Sequence, residues 1–403
     1  RSQRGHLPQC INLCAPVMFS ETNRKTTGAK KKFRQGPVDI PGMSIRNSNW
    51  VWIGLGLSAL LLRLLLGGYP EIIEQYYSRG LFIAIRVLID YSIAFLPFPA
   101  LYLVVAALLL WVPYRLRAWW LASYSSAWKK GAALLLHVGG FIGGALFFFL
   151  LLWGYNYSRV PLEDQLGLDL QPLHVEQLWA ELREEGEQLK MLRRELPGLR
   201  TEAIGEAALP PNLESRLREG LEKWLEEQGF PTVGKVRVKP IYPKGIFLRF
   251  SSAGLYFPWT GEGQYDAGLH PLQKISVLAH ELGHGYGFGD EGSCNFLSYV
   301  ACTSSDDPLI AYAGHLDHWR TLAIQYRRYA PEKYSDYRKS LPLGVQADLN
   351  AINETLLRYP DIMPAFRYRA YDAYLKAQGI EEGMKNYSRV VMLVSAWRES
   401  QRI

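Results

Sequence analysis

Three long apolar stretches fill the first part of the chain, and beyond about residue 155 the pattern changes to amphipathic periodicity. Trp50 to Leu66 is apolar except for Arg63, and at about 1.5 Å per residue a helix of this length can cross a bilayer. Its eight leucines, at roughly 0.5 kcal/mol each, offset the roughly 2.5 to 3.5 kcal/mol for an arginine that can also snorkel from near the helix end. Leu81 to Val112 covers 32 residues, about 48 Å as one helix and too long for a hydrocarbon core of about 30 Å. Pro97 and Pro99 supply the break. The expectation is an interfacial helix near 72–96 carrying Glu74, Arg86 and Asp90, followed by a second span from Pro97 to Val112. Gly131 to Trp153 forms a third span without charge. Its Gly139/Gly143 and Gly140/Gly144 spacings let neighbouring helices approach closely, and His137 within it is expected to be a packing residue.

After the spans, Val175, Leu178, Leu182, Leu189, Leu192 and Leu196 follow helical spacing, and Leu213, Leu217, Leu221 and Trp224 repeat it. Lys235 to Tyr242 and Gly245 to Phe257 predict short strands, a helix starts near Leu272, and helices follow Asp306 up to one over Tyr387 to Gln401. No internal repeat is evident. The expected class is therefore mainly α with a small β-sheet (α+β). Three transmembrane helices are expected to precede the larger 155–403 portion. The organisation is a basic, disordered tail over 1–48, a membrane portion over 49–154, and a 155–403 domain. That domain divides into a helical lead (155–234), a catalytic core (235–335) and C-terminal helices (336–403).

Charge refines this picture. Hydrophobic residues make up 48% and charged residues 21%, which excludes a wholly disordered or wholly membrane-buried chain. The net charge of +7 resides in the tail, so the body has no basic excess for nucleic acid, and no nucleic-acid partner is expected. Lys and Arg concentrate before the first span and in the 114–130 connection. The positive-inside rule therefore places the N-terminus in the cytoplasm and the 155–403 domain outside it. No small-residue cleavage site ends the first span, which excludes a signal peptide. Met43 opens a short basic lead into that span and is the expected translation start, testable by intact mass. Four cysteines are too few for a disulfide scaffold. Cys10 and Cys14 lack a second pair for a metal site, and Cys294 and Cys302, eight residues apart, are expected to be buried thiols.

The chemistry concentrates at His280-Glu281-Leu282-Gly283-His284, an HExxH sequence whose histidines share one helix face and can grip one metal ion. Catalytic zinc needs three protein ligands and an open position for water. Glu291, opening E-x-x-C-N on a following helix, is one candidate; Asp290, reached by a turn at Gly287, is the alternative. The losing acid would serve as a helix N-terminal charge or cap. Asn295, one turn after Glu291, can orient an imidazole. With Zn2+ bound, Glu281 is placed as general base for peptide hydrolysis. Tyr312, His315 and His318 are chemically suitable oxyanion donors.

The stretches WGYNYSRVPL (153–162), FPWTGEG (257–263), AHELGHGYGFGDEGSCNFLSYVAC (279–302), YAGHL (312–316) and NYSRVVMLV (386–394) resemble an uncharacterised bacterial family. Its members are three-span membrane proteins described as zinc-dependent peptidase-like. The family's E-D-E-A-N-F keeps Glu291 and Asn295 here, with Ser293 in place of the second acid. It is similar to the E-x-x-A-D of membrane CaaX prenyl proteases and heat-shock membrane proteases, which implies that Glu291 is the zinc ligand of a gluzincin-like site. The expected function is a membrane-anchored zinc metallopeptidase of the bacterial inner membrane acting on peptide or protein substrates, with the lipid bilayer as its other partner. The alternative is a non-catalytic receptor or assembly protein with a structural or vestigial zinc site. FPWTGEG is read either as an edge strand for an extended peptide or as a plain hairpin turn. Oligomeric state is not legible.

Overall fold

A computed structural model describes residues 42–93, 95–196 and 201–402. Most of the tail expected over 1–48 therefore lies outside the described residues, as do Cys10 and Cys14. The compact unit that runs from Ile45 onward is mainly helical with one three-stranded sheet.

The first helix, α1, is Gly42–Leu66. Pro70–Ile72 (α2) leads without a break into a π-helical stretch, Ile73–Leu81, and then α3, Phe82–Ile93. α4 is Leu101–Leu121 and α5 is Ala127–Leu152. Three helices are long and apolar enough to cross a membrane, at Ser48–Leu66, Leu101–Leu121 and Ala127–Leu152.

The second of these differs from the expected Pro97–Val112. Pro97 and Pro99 disfavour helix at the residues before them, so the helix starts only at Leu101 and then continues through Pro113, a residue tolerated inside apolar helices of this kind. Helices α1 and α5 touch backbone to backbone. A Cβ on Gly143 would lie 2.5 Å from the Trp52 carbonyl oxygen, and one on Gly56 2.5 Å from that of Gly143, so only glycine permits the crossing. His137 accepts from Asn49 Nδ2 at 2.6 Å across the same two helices.

Glu74, Arg86 and Asp90 of the 72–96 segment do not face outward. Glu74, Arg86 and Asp90 are buried, because each finds a partner in the later chain. Arg159 donates to Glu74 (2.6 and 2.8 Å), Arg86 donates to the Val233 carbonyl, and Asp90 accepts the Lys235 backbone N–H at 2.8 Å. The exposed face of this segment carries Tyr76, Leu81, Leu88 and Tyr91.

Beyond Trp153 a 3-10 turn (Gly154–Ser158) and α6 (Leu162–Leu166) precede two amphipathic helices, α7 (Val175–Glu195) and α8 (Leu213–Glu227). The strands are β1 (Arg237–Ile241), β2 (Gly254–Phe257) and β3 (Glu262–Asp266). The order is β1-β3-β2, with β1 parallel to β3 (Arg237 opposite Glu262) and β2 antiparallel (Gly254 opposite Tyr265). FPWTGEG is therefore the hairpin between β2 and β3, with Thr260 and Gly261 donating to the Phe257 carbonyl, and the edge strand lies just before it, at β2. The remaining helices are α9 (Pro271–Gly285), α10 (Glu291–Thr303), α11 (Pro308–Tyr326), α12 (Pro331–Ser340), α13 (Leu343–Leu357), α14 (Pro364–Ala377) and α15 (Val390–Ser400). α9 lies at the centre, its apolar face (Ile275, Leu278, Leu282) buried in the core with Leu221 of α8 and Leu297 of α10.

Candidate metal centre

α9 begins where His270 accepts the Leu272 N–H and Pro271 occupies the first helical position, a position at which proline loses no hydrogen bond. It ends before Gly287, whose φ of +89° suits glycine. The next helix starts four residues later, at Glu291. Asp290 is its N-cap, with Oδ1 accepting from the Ser293 N–H at 2.6 Å, and Asn386 donates to its other oxygen at 2.6 Å. Asp290 is thus committed as a cap, the role anticipated for whichever acid was not a ligand candidate. The tight 286–290 turn folds α10 back on α9 and delivers Glu291 to the two imidazoles.

His280 Nε2 and His284 Nε2 lie 3.1 Å apart, with Glu291 Oε2 at 3.2 Å from the first and 3.5 Å from the second. The far side of each ring fixes its tautomer. His284 Nδ1 donates to the Phe288 carbonyl at 2.8 Å. Asn295 Nδ2 donates to the Tyr387 carbonyl at 3.2 Å, so Asn295 Oδ1 faces His280 Nδ1 at 2.8 Å and accepts from it. Both protons therefore sit on Nδ1, and both Nε2 atoms present lone pairs to each other and to a carboxylate. Three such donors repel one another unless a cation lies among them. The chemistry of this donor set fits a metal ion, and the three residues form the group that can hold one, their donor atoms all within 4.8 Å of one another. Burial alone would raise the Glu291 carboxyl; with a proton rather than a metal ion on their Nε2 atoms, His284 and His280 hold it well below the usual carboxylate range.

Glu281 is buried beside them, and one of its oxygens has no hydrogen-bond partner among the described residues. Burial pushes its carboxyl up to about 7. The sheet leaves room for it: a Cβ on Gly254 of β2 would lie 2.3 Å from Glu281 Oε1, and one on Gly263 of β3 2.9 Å from Glu281 Cβ. Burial likewise pushes the Cys294 thiol up to about 11; it and Cys302 are free and buried.

The structure does not bring Tyr312, His315 or His318 to this cluster, which corrects their reading as oxyanion donors. α11 turns all three into the packing between helices. The Tyr312 hydroxyl donates to Asp348 at 2.7 Å, His315 Nδ1 pairs with Glu185 at 2.8 Å, and His318 is buried with neither ring nitrogen hydrogen-bonded among the described residues. The hydroxyl at the site comes from α14: Tyr371 donates to Glu291 Oε1 at 3.0 Å and lies 3.3 Å from the Tyr387 hydroxyl. Tyr157 and Tyr374, hydroxyls 3.1 Å apart, extend this cluster. Trp153 donates from its indole to the His284 carbonyl at 3.1 Å.

Sequence reasoning missed these residues, although a signal was present. N-Y-S-R occurs at 156–159 and again at 386–389, both times in a 3-10 turn, and each copy sends its tyrosine to a tyrosine of α14.

No curated protein and no solved structure matches the chain. A family model does match, over residues 77–395, a range that includes the helices carrying His280, His284 and Glu291. The chain belongs to DUF3810, a family described as proteins of unknown function.

Proposed function

We propose that this chain is a membrane-anchored zinc metallopeptidase with a zincin-like domain, its N-terminus cytoplasmic and its 155–403 portion on the outer side of the bacterial inner membrane. The observation that carries the reading is the convergence of two imidazole lone pairs and one carboxylate oxygen, next to a second buried carboxylate with a free oxygen. Two histidines and one acid are a donor set suited to catalytic zinc, whose sites keep a further position for water. Zinc held by His280, His284 and Glu291 supplies a Lewis acid and a water whose pKa falls towards about 7.

The rest is the work of the chain. Glu281 takes the proton from the attacking water and returns it to the leaving amine. Asn295 and the Phe288 carbonyl hold both rings with Nε2 towards the ligand position, and Tyr371 holds the outer oxygen of Glu291. β2 is the sheet edge above Glu281, and its unpaired backbone groups suit an extended peptide lying alongside.

The test uses the full chain purified in detergent. One equivalent of zinc is expected in the wild type and in Glu281→Gln, cleavage of a broad peptide library in the wild type alone, and neither in His284→Ala. Wild-type protein that holds zinc yet cleaves nothing supports the non-catalytic reading instead.

A further inference from the structure

We propose that the substrates are polypeptides tethered to the bilayer and cut close to its surface. This rests on the peptidase reading above and on the three apolar helices crossing a membrane.

The position of the centre relative to the spans carries the inference. The apolar run of α5 and its exit, Gly131 to Trp153, follows Lys129 and Lys130 and contains 23 residues, about 34 Å of helix against a hydrocarbon core of about 30 Å. With the lysines at one boundary, Trp153 therefore stands at the other, where indole rings settle. That same indole donates to the His284 carbonyl at 3.1 Å, and its ring centroid lies 5.9 Å from that of the imidazole. One side chain separates a ligand candidate from the end of a span.

Other contacts hold the site at the same level. The chain leaving α5 wraps the turn after α9, with Arg159 donating to the Gly287 carbonyl at 2.9 Å. At the end of the first span, Arg63 donates to the Gln378 carbonyl at 2.9 Å. Gln378 is the C-cap of α14, which places Tyr371 on Glu291. The sheet is seated similarly. Trp259 of the β2–β3 turn packs on Phe149 of α5 at 5.9 Å, Tyr102 at the start of α4 donates to the Tyr242 carbonyl at 3.0 Å, and Glu262 accepts the Ala100 N–H at 2.7 Å.

Free peptides would be served as well by a site held away from the lipid, and a 155–403 domain has length enough to lift it. Here the site is built onto the span ends instead. About three extended residues carry a tethered chain about 10 Å beyond the hydrocarbon boundary, and tethering raises its effective concentration there.

The test reconstitutes the full chain in phosphatidylcholine vesicles with three substrates that share one randomised segment. In the first the segment follows a transmembrane helix directly, in the second a long Gly/Ser spacer separates the two, and in the third the segment is free in solution. Fragments are mapped by mass spectrometry against a Glu281→Gln background. The directly tethered segment is expected to be cut at least about tenfold faster than the free one, with cuts clustered beside the helix, and the spacer is expected to abolish that advantage. Equal rates with cuts at any distance from the helix overturn the inference and leave the peptidase reading standing. Absence of cleavage in all three overturns both.

Discussion

Replacing Asn295 with alanine removes the acceptor that fixes the His280 ring. The perturbed contact is the 2.8 Å bond between Asn295 Oδ1 and His280 Nδ1. A hydrogen bond to a ring that carries charge when metal is bound contributes about 1.5 to 3 kcal/mol. Losses of such outer partners weaken metal binding by about 10- to 100-fold, or about 1.4 to 2.8 kcal/mol, so the two estimates agree. The structure favours the lower end, because Asn295 borders a cavity of about 290 Å³, from which water can take over part of its role. We therefore expect zinc affinity to fall about tenfold, measured by competition with a chelating dye on the full chain in detergent. Asn295→Asp keeps an acceptor and is expected to retain or strengthen binding. Equal affinities for wild type and Asn295→Ala, or an equal loss in both variants, refute the reasoning.

Gly254→Ala brings a Cβ to 2.3 Å from Glu281 Oε1 and 2.8 Å from the Gln264 carbonyl oxygen. It is expected to displace Glu281 and suppress turnover while zinc content is unchanged, at a stability cost of about 1 to 3 kcal/mol. Asp348 is fully buried and gathers Arg193 Nε (2.9 Å), the Tyr312 hydroxyl (2.7 Å) and the Ile204 N–H (2.7 Å). Asp348→Ala leaves the guanidinium uncompensated and is expected to destabilise by about 3 to 5 kcal/mol, read as a lowered melting temperature. Burial pushes His318 down to about 3, whereas the unfolded chain protonates it near about 6.5. The unfolded state thus binds the extra proton between these values, and stability contributed at neutral pH falls by up to about 1.4 kcal/mol per pH unit as pH drops through that window. His318→Phe is expected to flatten the melting-temperature profile there, and an unchanged slope removes His318 as the cause.

The parts of this architecture legible in sequence were those governed by local periodicity. The i, i+4 pair of His280 and His284 needed only a helix, and the apolar runs located three helices long and apolar enough to span a membrane, within a few residues at most ends. The choice between Glu291 and Asp290 was not local, since both are acids at the same helix start; it follows from Asp290 being taken by Ser293 and Asn386. β3 escaped because Gly-Gln-Tyr-Asp lacks apolar alternation, its pairing being imposed by β1 and β2 on either side. Tyr371 and Tyr387 lie 80 and more positions beyond Glu291, and no spacing rule links a tyrosine to a site that distant. Tyr312 and His315 had suitable chemistry, but buried Asp348 and Glu185 had the prior claim on them.

The order in which the chain is made acquires a meaning from the Asn295–Tyr387 bond. Both imidazoles and Glu291 are synthesised before the residues that steady them, Tyr371, Asn386 and Tyr387. A polypeptide that stops before Tyr371 therefore carries the three candidate ligands with these supports missing. A chain cut ahead of Tyr371 is thus expected to hold a metal ion less tightly, even though it keeps every candidate ligand.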